Sequence, residues 1–198
     1  MFGLEEFMKK IVLGLLVLVF AVPSFATIYT VNSGYFNSMT IGGEDTLIMT
    51  GGGGYRLTGE DYSVLKIQNT SPLAVLSGGL WDLVVGNRSQ LYLSGGQINY
   101  LTVDDYATSV LSGGLINKLE NDSQGGYASV EIVCRSYNYN STTKLLTGVW
   151  KNYSPFSIQL VDLSGYATTY SILDFTIIPE PATMLLLGAG GLLLRRKK

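Results

Sequence analysis

Along the middle of the chain, apolar and polar residues alternate one by one over short stretches, and glycine interrupts them at regular intervals. Leu91-Tyr92-Leu93 and Leu101-Thr102-Val103 are two such stretches. An alternation of period two places every second side chain on one face, which is the signature of half-buried strands; no 3.6-residue helical period runs through the region. The pattern also repeats on a longer scale. Ser-Gly-Gly triplets begin at Ser77, Ser94 and Ser112, 17 and 18 residues apart, and weaker copies begin at Ser33 and Thr50. Counted from Ser33, apolar residues fall at Phe36, Met39, Ile41, Leu47 and Met49; counted from Ser77, the same five offsets hold Leu80, Leu83, Val85, Leu91 and Leu93. Gly42 and Gly86 coincide as well.

A repeat of 17–18 residues predicts an all-β fold, a short right-handed parallel β-helix (β-solenoid) of about five rungs over residues 27–137. Stacked rungs bury an apolar side that no rung can bury alone, and paired glycines serve the sharp turns. The alternative is a β-sandwich with strands at similar spacing. The longer gap between Thr50 and Ser77 predicts a surface excursion around Gln68–Leu73, where Asn69, Ser71 and Pro72 favour a loop. Asn138–Thr143 reads as a polar loop leaving the repeats. Lys144–Trp150, Phe156–Leu163 and Ala167–Ile178 then read as three strands of a small C-terminal β cap over 138–178, with Trp150 and Phe156 packed on the last rung.

The two ends follow different rules. Lys9 and Lys10 precede an apolar run from Ile11 to Val22, Pro23 ends it, and Ser24-Phe25-Ala26 offers small residues where a signal peptidase reads them. This layout predicts a secretory signal peptide over 1–26, cleaved after Ala26; twelve apolar residues are too few for a spanning anchor. At the other end stand Pro179-Glu180-Pro181, an apolar run from Ala182 to Leu194, and the basic cluster Arg195, Arg196, Lys197 and Lys198. As a helix the thirteen-residue run is about 20 Å long, short of a hydrocarbon core of roughly 30 Å. The basic cluster favours the cytoplasmic side and leaves the rest of the chain outside. The alternative is an ordinary C-terminal membrane tail.

In this order of motif, apolar run and basic terminus, residues 177–198 resemble a PEP-CTERM sorting signal. The resemblance implies export in a Gram-negative-type bacterium, a transient inner-membrane intermediate and recognition by an exosortase-like membrane protease. It also implies cleavage near Pro179–Pro181, with release or transfer to the cell surface or extracellular polymer matrix.

Composition and charge narrow the chemistry. Removing both termini takes six of the 13 Lys and Arg and two of the 15 Asp and Glu, leaving residues 27–180 about six charges negative, which argues against nucleic acid as a partner. Cys134 is the single cysteine, so no intramolecular disulfide forms; Val130, Ile132 and Cys134 alternate with charged positions as packed strand residues do. The chain has no histidine to serve as a base. Asp104 and Asp105 are the one Asp-Asp pair within the repeats, but strand neighbours point to opposite faces, and the pair suits a solvated turn better than convergent catalysis. Gly42-Gly43-Glu44-Asp45 and the Gly51–Gly54 run lack the nine-residue recurrence of calcium-binding β-rolls, and no Gly-Lys-Ser/Thr follows to make a phosphate loop. The Asn-x-Ser/Thr triplets at Asn69, Asn87, Asn121, Asn140 and Asn152 read as turn chemistry. Tyr92, Tyr100, Tyr137 and Tyr139 are candidates either for stacking on sugar rings or for ladder packing. The expectation is therefore a non-enzymatic surface or matrix protein associated with exopolysaccharide, handled by signal peptidase and the exosortase-like protease. It has no assigned catalytic residue, cofactor or metal site. The alternatives are a carbohydrate-binding adhesin module on the tyrosine face and a carbohydrate-active β-helix enzyme using Asp104 or Asp105.

Overall fold

The computed structural model describes residues 26–69, 79–124 and 127–179. The fold is all-β: 14 strands form one open sheet, with a single short 3-10 turn, Thr169–Ile172, among the described residues. The strands are β1 (Ile28–Val31), β2 (Tyr35–Ile41), β3 (Thr46–Met49), β4 (Gly53–Gly59), β5 (Val64–Ile67), β6 (Leu80–Val85) and β7 (Gln90–Leu93). Then follow β8 (Gln97–Val103), β9 (Thr108–Leu111), β10 (Leu115–Asn121), β11 (Ser129–Asn140), β12 (Leu145–Trp150), β13 (Pro155–Val161) and β14 (Leu173–Ile177).

Each strand from β1 to β9 pairs in parallel with the strand two places later, so β1, β3, β5, β7, β9 and β11 form one series and β2, β4, β6, β8 and β10 another. Register follows the repeat. Ile28 stands opposite Thr46 and Tyr35 opposite Gly53, 18 residues on in both cases. The five apolar offsets of the sequence become inward columns: Met39, Leu57, Leu83, Leu101 and Leu119 form one, and Met49, Ile67, Leu93, Leu111 and Ile132 another. From Leu57 and Ile67 onward these residues are sealed from solvent, and both series share one hydrophobic core. Burying each such side chain contributes about 1.5–3 kcal/mol, and the parallel ladder satisfies the backbone between them.

The glycine spacings resolve into turns. Gly34, Gly52, Gly79, Gly96 and Gly114 all have positive φ and precede the second-series strands. A Cβ on Gly113 would run into the Ser94 carbonyl, so the stacked turns approach too closely for a side chain. Across 70–78 the register advances from Val64 to Gln90 and from Gly54 to Leu80, 26 residues instead of 18. The step is eight residues longer here than between the preceding repeats. Gln68 still donates its N–H to Met49 O at 2.9 Å, and the rest of the expected excursion, from Thr70 onward, lies outside the described residues.

The C-terminal part departs from two expectations. Asn138–Asn140 are not loop: β11 runs on through them, antiparallel to β12, and the turn begins at 141. The strand expected over Ala167–Ile178 is the 3-10 turn followed by β14 alone. β12 and β13 form an antiparallel hairpin, β13 returns in parallel onto β10, and β14 lies in parallel beside β11. Trp150 and Phe156 pack here as expected, with ring centroids 4.2 Å apart and the indole N–H donating to Gly114 O at 2.9 Å.

Candidate functional site

The C-terminal exit is built by β14. Its register with β11 runs from Leu173 opposite Val130 to Ile177 opposite Cys134, and Ile178 adds one more bond, N–H to Cys134 O at 2.9 Å. Pro179 has no N–H to continue the ladder, so the chain is released there, and Pro179 is exposed. The sorting signal thus starts one residue beyond the sheet. Glu180, Pro181, Arg195, Arg196, Lys197, Lys198 and the apolar run lie outside the described residues, as does the signal segment before Ala26. No helix among the described residues is long and apolar enough to cross a membrane.

A second feature arises where each first-series strand is entered. Four tetrapeptides, Gly42–Asp45, Glu60–Ser63, Gly86–Ser89 and Asp104–Ala107, are tight turns, each closed by a bond from the fourth N–H to the first carbonyl at 3.0–3.3 Å. Their second residues, Gly43, Asp61, Asn87 and Asp105, all lie at φ between 48 and 63°. Glycine, asparagine and aspartate are the residues that tolerate this region, so Asp105 stands where a turn requires it. The third residues point outward. Tyr62, Arg88 and Tyr106 therefore line up across successive repeats, and Tyr127 continues the row.

The Arg88 guanidinium lies 5.6 Å from the Tyr62 ring centre and 5.7 Å from that of Tyr106, and donates to Tyr62 Oη at 2.5 Å. Tyr106 stacks on Tyr127 at 4.8 Å, the spacing of neighbouring strands. Tyr62, Tyr106 and Tyr127 nonetheless remain 55%, 52% and 60% exposed. With Asp61, Asn87, Arg88 and Asp105, Tyr62 and Tyr106 border an open cleft of about 360 Å³. An exposed aromatic ring beside carboxylate and amide groups can meet both sides of a sugar, the ring face its C–H side and the polar groups its hydroxyls. The outward face of the second series carries a smaller file of the same kind: Tyr55 and Trp81 lie nearly parallel with centroids 6.4 Å apart, and Asn117 donates to Asn99 at 3.0 Å further along. Arg56 and Asp82, an ion pair at 2.8 Å, flank it.

The tyrosines singled out in the sequence do not form one row. Tyr92 is exposed and donates to Gln90. Tyr100 donates to Glu120 at 2.9 Å, and burial together with that carboxylate pushes its phenol above the ordinary value. Tyr137 stacks on Phe175 and Tyr139 on Tyr170, inside the cap packing. Tyr62 and Tyr106 each follow an aspartate that takes the positive φ of the turn, Asp61 and Asp105, a position that the alternation of apolar and polar residues does not mark.

The other candidates also find their places. Cys134 is buried opposite Trp150, and burial pushes its thiol up, away from the reactive thiolate. Asp104 Oδ1 accepts the Asp105 N–H at 2.6 Å within the turn. Asp45 Oδ1 accepts the Thr27 N–H at 2.7 Å. Among the described residues no group of three acidic or cysteine side chains converges as a metal site. Asn140 and Asn152 accept N–H bonds from residues two positions on, as turn asparagines do. Asn121 is buried and donates to Ala167 O at 3.1 Å, which closes it to modification.

Comparison with protein families matches residues 178–198 to the PEP-CTERM protein-sorting motif. No curated protein and no solved structure matches the chain. The motif marks an exported protein that passes through the membrane and is processed by an exosortase-type membrane protease.

Proposed function

We propose that the chain is a non-enzymatic structural protein of the cell surface or extracellular matrix, cut at Pro179–Pro181 by the exosortase-type protease and associated there with exopolysaccharide. The observation that carries this reading is the placement of the sorting motif directly after a strand zipped to Ile178, with Pro179 exposed. The body reads as a right-handed parallel β-solenoid rather than a β-sandwich. Parallel pairing of every second strand at a fixed offset supports a solenoid, since sandwiches are built from antiparallel strands, and right-handed crossovers are the rule for parallel strands. Its mechanism is passive: a stiff stack presents polar turns and exposed rings. Mass spectrometry of the exported protein should find ends at Thr27 and within Pro179–Pro181. Deleting residues 179–198 should move the protein away from its final location; unchanged surface display would sink the proposal.

The cleft at Tyr62, Arg88 and Tyr106 favours a second reading, a carbohydrate-binding module. Asp61 and Asp105 beside the single arginine disfavour a polyanion, so the ligand class is a neutral polysaccharide. Replacing Tyr62, Tyr106 and Tyr127 together by alanine should abolish retardation in a gel containing such a polymer; undiminished retardation would leave the row as ladder packing. The enzymatic alternative has little support, because Asp104 and Asp105 are explained by the turn they make.

A further inference from the structure

We propose that the first repeat is a docking edge at which two copies of the exported chain pair end to end through β1 and β2. The strand order begins with β1 and ends with β2, so both of these terminal edges lie in the same repeat. At the opposite end the β12–β13 hairpin joins the two series, and β14 lies beside β11. The first repeat is also where the core is open. Tyr29 stands in the column of Leu47 and Leu65, both fully buried, yet is 43% exposed. Val31, Phe36 and Met39 are only partly covered.

The edge strands read Ile-Tyr-Thr-Val and Tyr-Phe-Asn-Ser-Met-Thr-Ile. Strands that must stay unpaired carry lysine, proline or a bulge; these carry no charge and no proline. Thr27 O and Val31 O accept N–H bonds from Thr46 and Thr50 at 2.8 and 2.9 Å. Since a parallel ladder uses alternate residues, Ile28 and Thr30 turn their N–H and C=O groups to the free side.

The occupant follows from where the chain starts. The proposal rests on cleavage after Ala26, which leaves one residue before β1 and nothing upstream to fold over the edge. The cut also turns the Thr27 N–H into an ammonium 2.7 Å from Asp45 Oδ1, so the first repeat gains a charge-assisted clamp as it becomes the terminus. A second copy brings the same unpaired backbone and the same uncovered side chains. Because like ends meet, the contact is isologous: it uses up the edges of the first repeat in both copies and stops at a dimer instead of growing into a fibre through that edge.

The test uses the exported, processed protein. Light scattering across a dilution series should give twice the chain mass at high concentration, and amide exchange at Ile28 and Thr30 should be slow there and fast on dilution. Thr30→Pro removes a free-side donor without touching the bonds to β3, so it should halve the mass while leaving the dilute protein's circular dichroism unchanged. A monomer with fast exchange at the highest soluble concentration overturns the proposal. So does slow exchange that ignores dilution, which means the chain covers its own edge, and so does a dimer indifferent to Thr30→Pro. Mass spectrometry of the same sample isolates the premise: a start upstream of Thr27 overturns the cleavage reading, whatever the mass found.

Discussion

Asp105 sits at φ +48°, and its neighbour Asp104 carries the cost of that turn in charge. Burial, with Asp105 and Asp122 nearby, pushes the Asp104 carboxyl above the usual range, against the opposing pull of the Asp105 N–H. A carboxyl raised on folding stabilises the fold fully below its unfolded value, about 3.9, and loses that contribution as pH rises through the higher folded value. At neutral pH the ionised Asp104 therefore weakens the protein. Asp104→Asn keeps an acceptor for the Asp105 N–H and should raise the thermal midpoint by about 1–2 °C at pH 7, with the gain vanishing in acid; a loss at pH 7 would contradict the assignment. The same turn shows what a single sequence hides. Gly43, Asp61, Asn87 and Asp105 share one backbone conformation through three residue types, so the recurrence is visible in φ but not in letters.

Elements were legible where one physical demand repeats. The inward columns need apolar side chains at a fixed offset, and Phe36 through Met49 against Leu80 through Leu93 carried that register across a 26-residue step. The cap was less legible because its strands answer to two partners. The first half of β11 lies parallel to β9 and the second half antiparallel to β12, and the ladder with β12 shifts register between Cys134 and Ser136. Asn138–Asn140 looked like loop because polar side chains suit an exposed hairpin as well as a turn. Asn121 marks the junction: it occupies the column of Val85 and Val103 but bonds to Ala167 of the cap. Lys144 holds Asp162 at 3.0 Å, and Asp162 also accepts the Thr169 N–H at 2.8 Å. Together these contacts lower the Asp162 carboxyl although its burial pulls the other way.

At the scale of the molecule, position in the stack decides what a contact is worth. Leu83 and Met39 share a column, but Leu83 is sealed between neighbours while Met39 lies in the uncovered first repeat. Denaturant unfolding of dilute protein should show Leu83→Ala losing about 2–5 kcal/mol and Met39→Ala about 1 kcal/mol, the cost of a part-exposed side chain. Equal losses would mean that the first repeat is covered after all. A gradient of this kind follows where, within the two series, each strand pairs only with the strands two places before and after it.

Hydrogen bonding that persists to Ile178 leaves almost no slack between the folded body and the exposed proline. On the proposed cleavage at Pro179–Pro181, the protease works flush against that wall. If the cut end is attached, the direction in which the body leaves it is then set by β14 and its ladder with β11.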